Sequence, residues 1–127
     1  MIDDQIEAEI QAKGLTAPRI TPEHVEATIA SEHYFTAADG ALGALSTTDI
    51  NPVAAFLSLP QSLHLMTFCV LVLKNGFTVT GESACASPEN FDAELGRKVA
   101  RQHAKDKIWA LEGYLLKEAL YQASLVS

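Results

Sequence analysis

A chain of 127 residues, 48% hydrophobic and 20% charged, has the composition of one globular domain and is too apolar to be disordered throughout. Its formal net charge of −7 repels phosphate backbones, which excludes general DNA or RNA binding as the expected role. The two cysteines cannot build a disulfide framework, and without histidines at ligand spacing they make a poor zinc site.

Residues 2–13 carry Ile2, Ile6 and Ile10 at four-residue spacing, a narrow apolar stripe with Gly14 as a stop signal. The spacing predicts a short helix that docks on another element or another copy, followed by a linker with Pro18. A second helix starts at Thr21 as N-cap with Pro22 and Glu23 in its first turn, and Val25 and Ile29 carry it to about Tyr34. Asp39–Pro60 is poor in charge and broken by Asn51-Pro52 and Leu59-Pro60, so a flexible loop is expected, with one helical turn at Val53–Leu57. The apolar run Leu63–Leu73 is too short to span a bilayer, and no signal peptide opens the chain. A soluble protein of a reducing compartment is the expectation.

Met66–Leu73 and Phe77–Ala84 flank Asn75-Gly76 and read as an antiparallel hairpin closed by a two-residue turn. Counting outward sets Leu73 against Thr78, Leu71 against Thr80, Cys69 against Glu82 and Met66 against Cys85. Met66, Phe68, Val70, Val72, Phe77 and Val79 then form the core face, and Cys69 and Cys85 project to opposite faces without bonding. Gly81 leaves a gap where a helix could approach closely. Ser87-Pro88-Glu89 starts a helix to about Lys107, continuing to about Ala123 with a bend at Gly113. It carries a large apolar stripe (Phe91, Leu95, Val99) and a small one (Ala93, Gly96, Ala100, Ala104).

The expected fold is α+β: N-terminal helices, one antiparallel hairpin at about 65–85, and a long C-terminal helix packed on it. Residues 1–20 form a helical arm and linker, and 21–127 a single domain with a flexible loop at about 39–60. A two-stranded sheet is marginal alone, so it must be covered, extended by another strand, or completed by a second subunit. A homo-oligomer is expected, with Ile2/Ile6/Ile10 and the small stripe as contact surfaces.

Charge is unevenly spread. Seven of the 16 acids fall in the first 32 residues, and six of the nine bases lie between Arg97 and Lys117. Arg97, Arg101 and Lys105, with Lys98 beside them, share one helix face that suits phosphate, and Trp109 or Tyr114 could stack on a base. The competing reading of that face is a solvated surface with Glu94 pairing Lys98 and Arg101. His103 with Asp106 reads as a surface ion pair rather than acid–base machinery. Ser83 lacks a nucleophile elbow, and Cys85 lacks a paired histidine. His24, His33 and His64 are scattered and imply no metal; no cofactor motif is visible.

The strings NGFTVTGES, SPENFDAELGRKVA and KIWALEGYLLKE, together with ITPEHVEATIASEHYFTA at Ile20–Ala37, resemble a family of small tailed-phage proteins. That family is labelled by gene product forty-nine of one phage and gene sixty-six of another. The resemblance implies an accessory protein acting in the cytoplasm of the infected bacterium, with no enzymatic activity to carry over. Small accessory phage proteins include anti-defence factors, some of them oligomeric sponges for nucleotide signals. The expected function is therefore non-enzymatic capture of a small anionic ligand, a nucleotide host signal, by Arg97, Lys98, Arg101, Lys105, Trp109 and Tyr114. The alternative is inhibition of a host protein through the acidic N-terminal half, with no membrane partner in either case.

Overall fold

The structure, a computed structural model, describes residues 2–45 and 50–126. In chain order it comprises α1 (Ile2–Ala12), α2 (Pro22–Ala27), β1 (Ile29–Thr36), α3 (Ala37–Gly43), α4 (Pro52–Ser58) and α5 (Gln61–His64). The strands β2 (Met66–Leu73) and β3 (Thr78–Ala84), a 3-10 turn at Pro88–Asn90 and α6 (Ala93–Ser124) complete it. The α+β class and the long C-terminal helix on the hairpin are as expected.

The second helix is much shorter than its apolar spacing suggested. Thr21 caps it, its hydroxyl accepting from the His24 amide at 3.0 Å. It ends at Ala27, where the Thr28 hydroxyl turns back onto the Val25 carbonyl. Ile29–Thr36 then becomes a strand antiparallel to β2, from Ile29 opposite Leu73 to Thr36 opposite Thr67, with an irregularity between Ile29 and Ser31. Helical spacing of two residues, Val25 and Ile29, was outweighed by β-branched and aromatic side chains and by a free edge on β2. The sheet has the order β1-β2-β3, so the hairpin is extended by a third strand. Thr36 and Asp39 then cap α3 reciprocally. Asp39–Pro60, expected as a loop, thus holds the end of α3 and all of α4; residues 46–49 of it lie outside the described residues.

The hairpin is closed by three residues, not two. The Gly76 amide donates to the Leu73 carbonyl and the Leu73 amide to the Phe77 carbonyl, both at 2.8 Å. Gly76 has φ +89°, and the Asn75 side chain accepts from the Phe77 amide at 2.9 Å. This is a turn followed by a left-handed glycine bulge. The extra residue shifts the pairing by one: Leu71 lies opposite Val79, Cys69 opposite Gly81, Phe68 opposite Glu82 and Met66 opposite Ala84.

A one-residue slip exchanges the faces of a strand. Thr67, Cys69, Leu71 and Leu73 are the buried row, whereas Met66, Phe68, Val70 and Val72, expected in the core, lie half-buried on the outer face. Cys69 is buried, Cys85 is half-buried, and both are free thiols.

The helix faces are exchanged as well. Gly96, Ala100, Ala104 and Ile108 are buried, while Leu95 and Val99 of the expected packing stripe are exposed. The small stripe is therefore occupied within the chain and is not left as a contact surface for another copy. Gly81 explains the choice: a Cβ there would collide with the Ala100 carbonyl and the Ala104 amide. Small residues on both elements let the helix lie almost directly on the β3 backbone. The core around this contact is Val25, Cys69, Leu71, Leu73, Val79, Ala100, Ala104 and Ile108. Leu71 and Ile108 are fully buried, each contributing about 2–3 kcal/mol of transfer free energy. α6 starts at Asp92, whose carboxylate caps the Leu95 amide, and runs as one helix through Gly113.

Candidate functional site

Four of the six residues expected to hold an anion lie on the first half of α6 on and beside one face, and the fold brings carboxylates of the N-terminal third onto two of them. Arg101 grips Glu26 of α2 with both terminal nitrogens, at 2.9 and 2.7 Å, and its Nε reaches Glu32 of β1 at 3.3 Å. Lys105 is buried, its Nζ lying 3.3 Å from Asp3 of α1 and 3.4 Å from Glu26. Three carboxylates thus meet two cations.

The electrostatics follow from these contacts. Hydrogen bonds from Arg101 hold the Glu26 carboxyl below the usual range, and the same bonds raise Arg101 further. Glu32 is lowered first by the Tyr34 hydroxyl, which donates to it at 2.7 Å, and then by Arg101. Burial, reinforced by that bond, pushes the Tyr34 phenol up. Burial also raises the Cys69 thiol. Glu26, Glu32 and Arg101 are thus each driven toward the charged form that the pairing uses.

The remaining residues are dispersed. Arg97 is exposed, and Lys98 pairs with Glu94 at 3.4 Å on the surface. Trp109 is half-buried against the core and lines a small cavity with Ile6, Ile10, Ile20 and Pro22, beneath α1. Tyr114 stands exposed on another side of the helix. It lines a groove of about 600 Å³ between the hairpin tip and the second half of α6, with Leu73, Phe77, Val79, Leu111 and Leu115. Its ring is therefore not available to a base held at Arg101.

Sequence reasoning missed Asp3, Glu26 and Glu32 as the partners of these cations. The signal was present as the acidic first quarter and the basic α6. The two were read as separate patches because nothing local says that they face one another. Two other N-terminal acids are also engaged: Glu7 binds Arg19 through two hydrogen bonds of 2.6 and 2.7 Å, and Glu9 pairs with Lys13.

The histidines make structural contacts. His103 Nδ1 meets the Glu82 carbonyl at 2.7 Å, tying α6 to the edge strand β3. Asp106, expected to pair with it, accepts from Gln102 instead. Among the described residues no three His, Cys, Asp or Glu side chains converge as metal ligands, and no helix is long and apolar enough to cross a membrane.

The outer face of the sheet is the second notable surface. Phe35 stacks on Phe68 with ring centroids 5.5 Å apart. Val70 and Val72 continue that row between His33 and Ser31 on β1 and Thr80 and Thr78 on β3. α3, which follows Thr36 in the chain, contacts β1 and β2, and α5, which precedes β2, contacts β2.

The chain is thus a small α+β protein in which one long helix carries a three-stranded antiparallel sheet and an ion-pair latch ties the N-terminal segments to that helix. Residues 20–120 match the phage protein (N4 Gp49/phage Sf6 gene 66) family, and the chain belongs to it. The match leaves out α1 but contains Glu26, Glu32 and Arg101. No curated protein and no solved structure matches the chain.

Proposed function

We propose that this phage protein is a non-enzymatic accessory factor that acts by docking a host protein on the outer face of its sheet. The observation that carries this reading is the composition of β2. Apart from Thr67, Met66–Leu73 is apolar on both faces, the pattern of a strand covered from both sides, yet α6 covers only one. An antiparallel sheet that faces water on one side normally alternates apolar with polar residues. Here the outer row is Met66, Phe68, Val70 and Val72. The occupant that fits is an amphipathic helix of the host protein, laid across the strands as α6 is laid across the other face.

Nucleotide capture, the other reading raised by the sequence, draws less support. A phosphate arriving at Arg101 and Lys105 would have to displace Asp3, Glu26 and Glu32, in a chain already carrying −7. The acidic-mimic form of host inhibition loses support for the same reason, since Glu26 and Glu32 are engaged by Arg101.

The test places a photo-crosslinking amino acid at Val72 in the phage-expressed protein during infection, with the same residue at exposed Arg97 as control. A discrete host polypeptide captured from position 72 alone, and lost in a folded V70K variant, supports the reading. Native mass spectrometry with a panel of linear and cyclic nucleotides runs alongside. One nucleotide per chain, released by Arg101→Glu and unaffected by V70K, would replace the docking reading with sequestration.

A further inference from the structure

We infer that α1 is an autoinhibitory strap: it occupies a docking face on α6 that takes an acidic amphipathic helix from another protein, a surface separate from the outer sheet face. α1 meets the rest of the chain through Asp3, Ile6, Glu7 and Ile10, which share one side of the helix at i, i+3, i+4 and i+7. Against them stand Gln102, Lys105 and Trp109 of α6, with Arg19 and Ile20 before α2 and Pro22 at its start. Cations thus meet the two acids, and an indole, an isoleucine and a proline meet the two isoleucines.

Charge holds this strap more than packing does. It precedes residues 20–120, which carry the family match, and none of its described residues is buried. Asp3 lies 3.3 Å from Lys105 and accepts from Gln102 at 3.4 Å, and Glu7 pairs with Arg19 at 2.6 Å. Apolar contact is thin by comparison. Ile6 is exposed, and a cleft of about 290 Å³ stays open between Ile6 and Ile10 on one side and Trp109 and Ile20 on the other.

The misfit defines a better occupant. The Gln102 amide nitrogen is used twice, on Asp3 and on Asp106, whereas its oxygen is buried and meets no donor among the described residues. Turning the amide over would set that oxygen against two carboxylates, so what α1 lacks at this point is a donor. A helix with an acid for Lys105, a hydroxyl or amide donor for Gln102 and an aromatic residue in the cleft would keep the contacts of α1 and add the two it leaves out. Such a helix binds only the fraction of molecules whose strap is lifted, so the strap sets the apparent affinity.

Fluorescence anisotropy of a labelled peptide, residues 1–14 carrying Ile6→Phe, tests this against the full chain. Three proteins are compared: the wild type, Asp3→Lys, which sets a like charge beside Lys105 to open the strap, and Asp4→Lys, which matches its charge at an exposed position. Emission of Trp109, the single tryptophan, shifts to the red when the strap opens. The peptide should bind Asp3→Lys about tenfold or more tighter than the other two proteins, and should return the Trp109 emission to the blue. Equal affinity for all three would put the peptide elsewhere on the molecule and overturn the proposal. An opened Asp3→Lys protein that binds no peptide also overturns it, as does one whose Trp109 emission stays at the wild-type position.

Discussion

Arg101 and Glu26 are 75 positions apart in the chain, yet they meet through two hydrogen bonds of 2.9 and 2.7 Å. This contact ties α2 to α6, and Lys105 extends it to α1 through Asp3. What reads in sequence as an acidic arm and a basic helix face is, in three dimensions, one latch.

The latch has a measurable coupling. Both side chains retain partial solvent exposure, so the interaction energy is well below that of a buried pair. A double-mutant cycle of Arg101→Ala and Glu26→Ala, followed by urea unfolding, should give a coupling of about 1 kcal/mol. A coupling indistinguishable from zero would show that the bidentate contact adds no net stability and is not a latch.

Close approach between β3 and α6 sets a sharper requirement. Gly81→Ala should destabilise the protein by about 3 kcal/mol, because the methyl group meets helix backbone that cannot move aside without lifting α6 from the sheet. Gly113→Ala is the control: a Cβ there meets nothing within 4 Å, and removing a helical glycine should stabilise slightly. Thermal unfolding of both variants checks the pair. Equal melting temperatures would count against the observed register of helix on sheet.

Acid should open the N-terminal arm before the core. Hydrogen bonds from Arg19 hold Glu7 down to about 2 from an ordinary 4.5, and Arg101 lowers Glu26. A carboxylate whose folded value is depressed stabilises the fold fully above its unfolded value and ceases to do so as pH falls through the folded one. For Glu7 the loss falls in the window from about pH 4.5 down to about 2, and for Glu26 it likewise lies on the acid side of the ordinary carboxylate value. Trp109, the single tryptophan, sits under α1 and reports the change. Its emission should shift to the red in that window and hold steady from pH 5 to 8. A shift centred near neutrality would implicate a histidine instead.

The hairpin loop gives a local test. Gly76 sits at φ +89°, so Gly76→Ala should cost about 1 kcal/mol. Substitution of Asn75 by alanine removes the acceptor for the Phe77 amide and should cost a similar or smaller amount. Chemical denaturation of the two variants distinguishes this three-residue loop from a two-residue turn. A two-residue turn would require a left-handed Asn75 and make that position the more sensitive one.

The sequence by itself determined the class of the fold, the hairpin at its centre, the long C-terminal helix and the family. Each of these is written in local chemistry: Asn-Gly between two apolar runs, a proline in a first turn, and a continuous motif string. It also marked Gly81 as the place where a helix would come close. Only the tertiary structure decided which faces were used. One additional residue in the hairpin loop exchanged Phe68, Val70 and Val72 for Cys69 and Leu71 in the core, because side chains alternate along a strand. The demand of β2 for a partner on its second edge turned Ile29–Thr36 from helix to strand. Pairing of Arg101 and Lys105 with Asp3, Glu26 and Glu32 was likewise settled by folding. Charge is legible along a chain, but which charges meet depends on contacts between segments that no local pattern encodes.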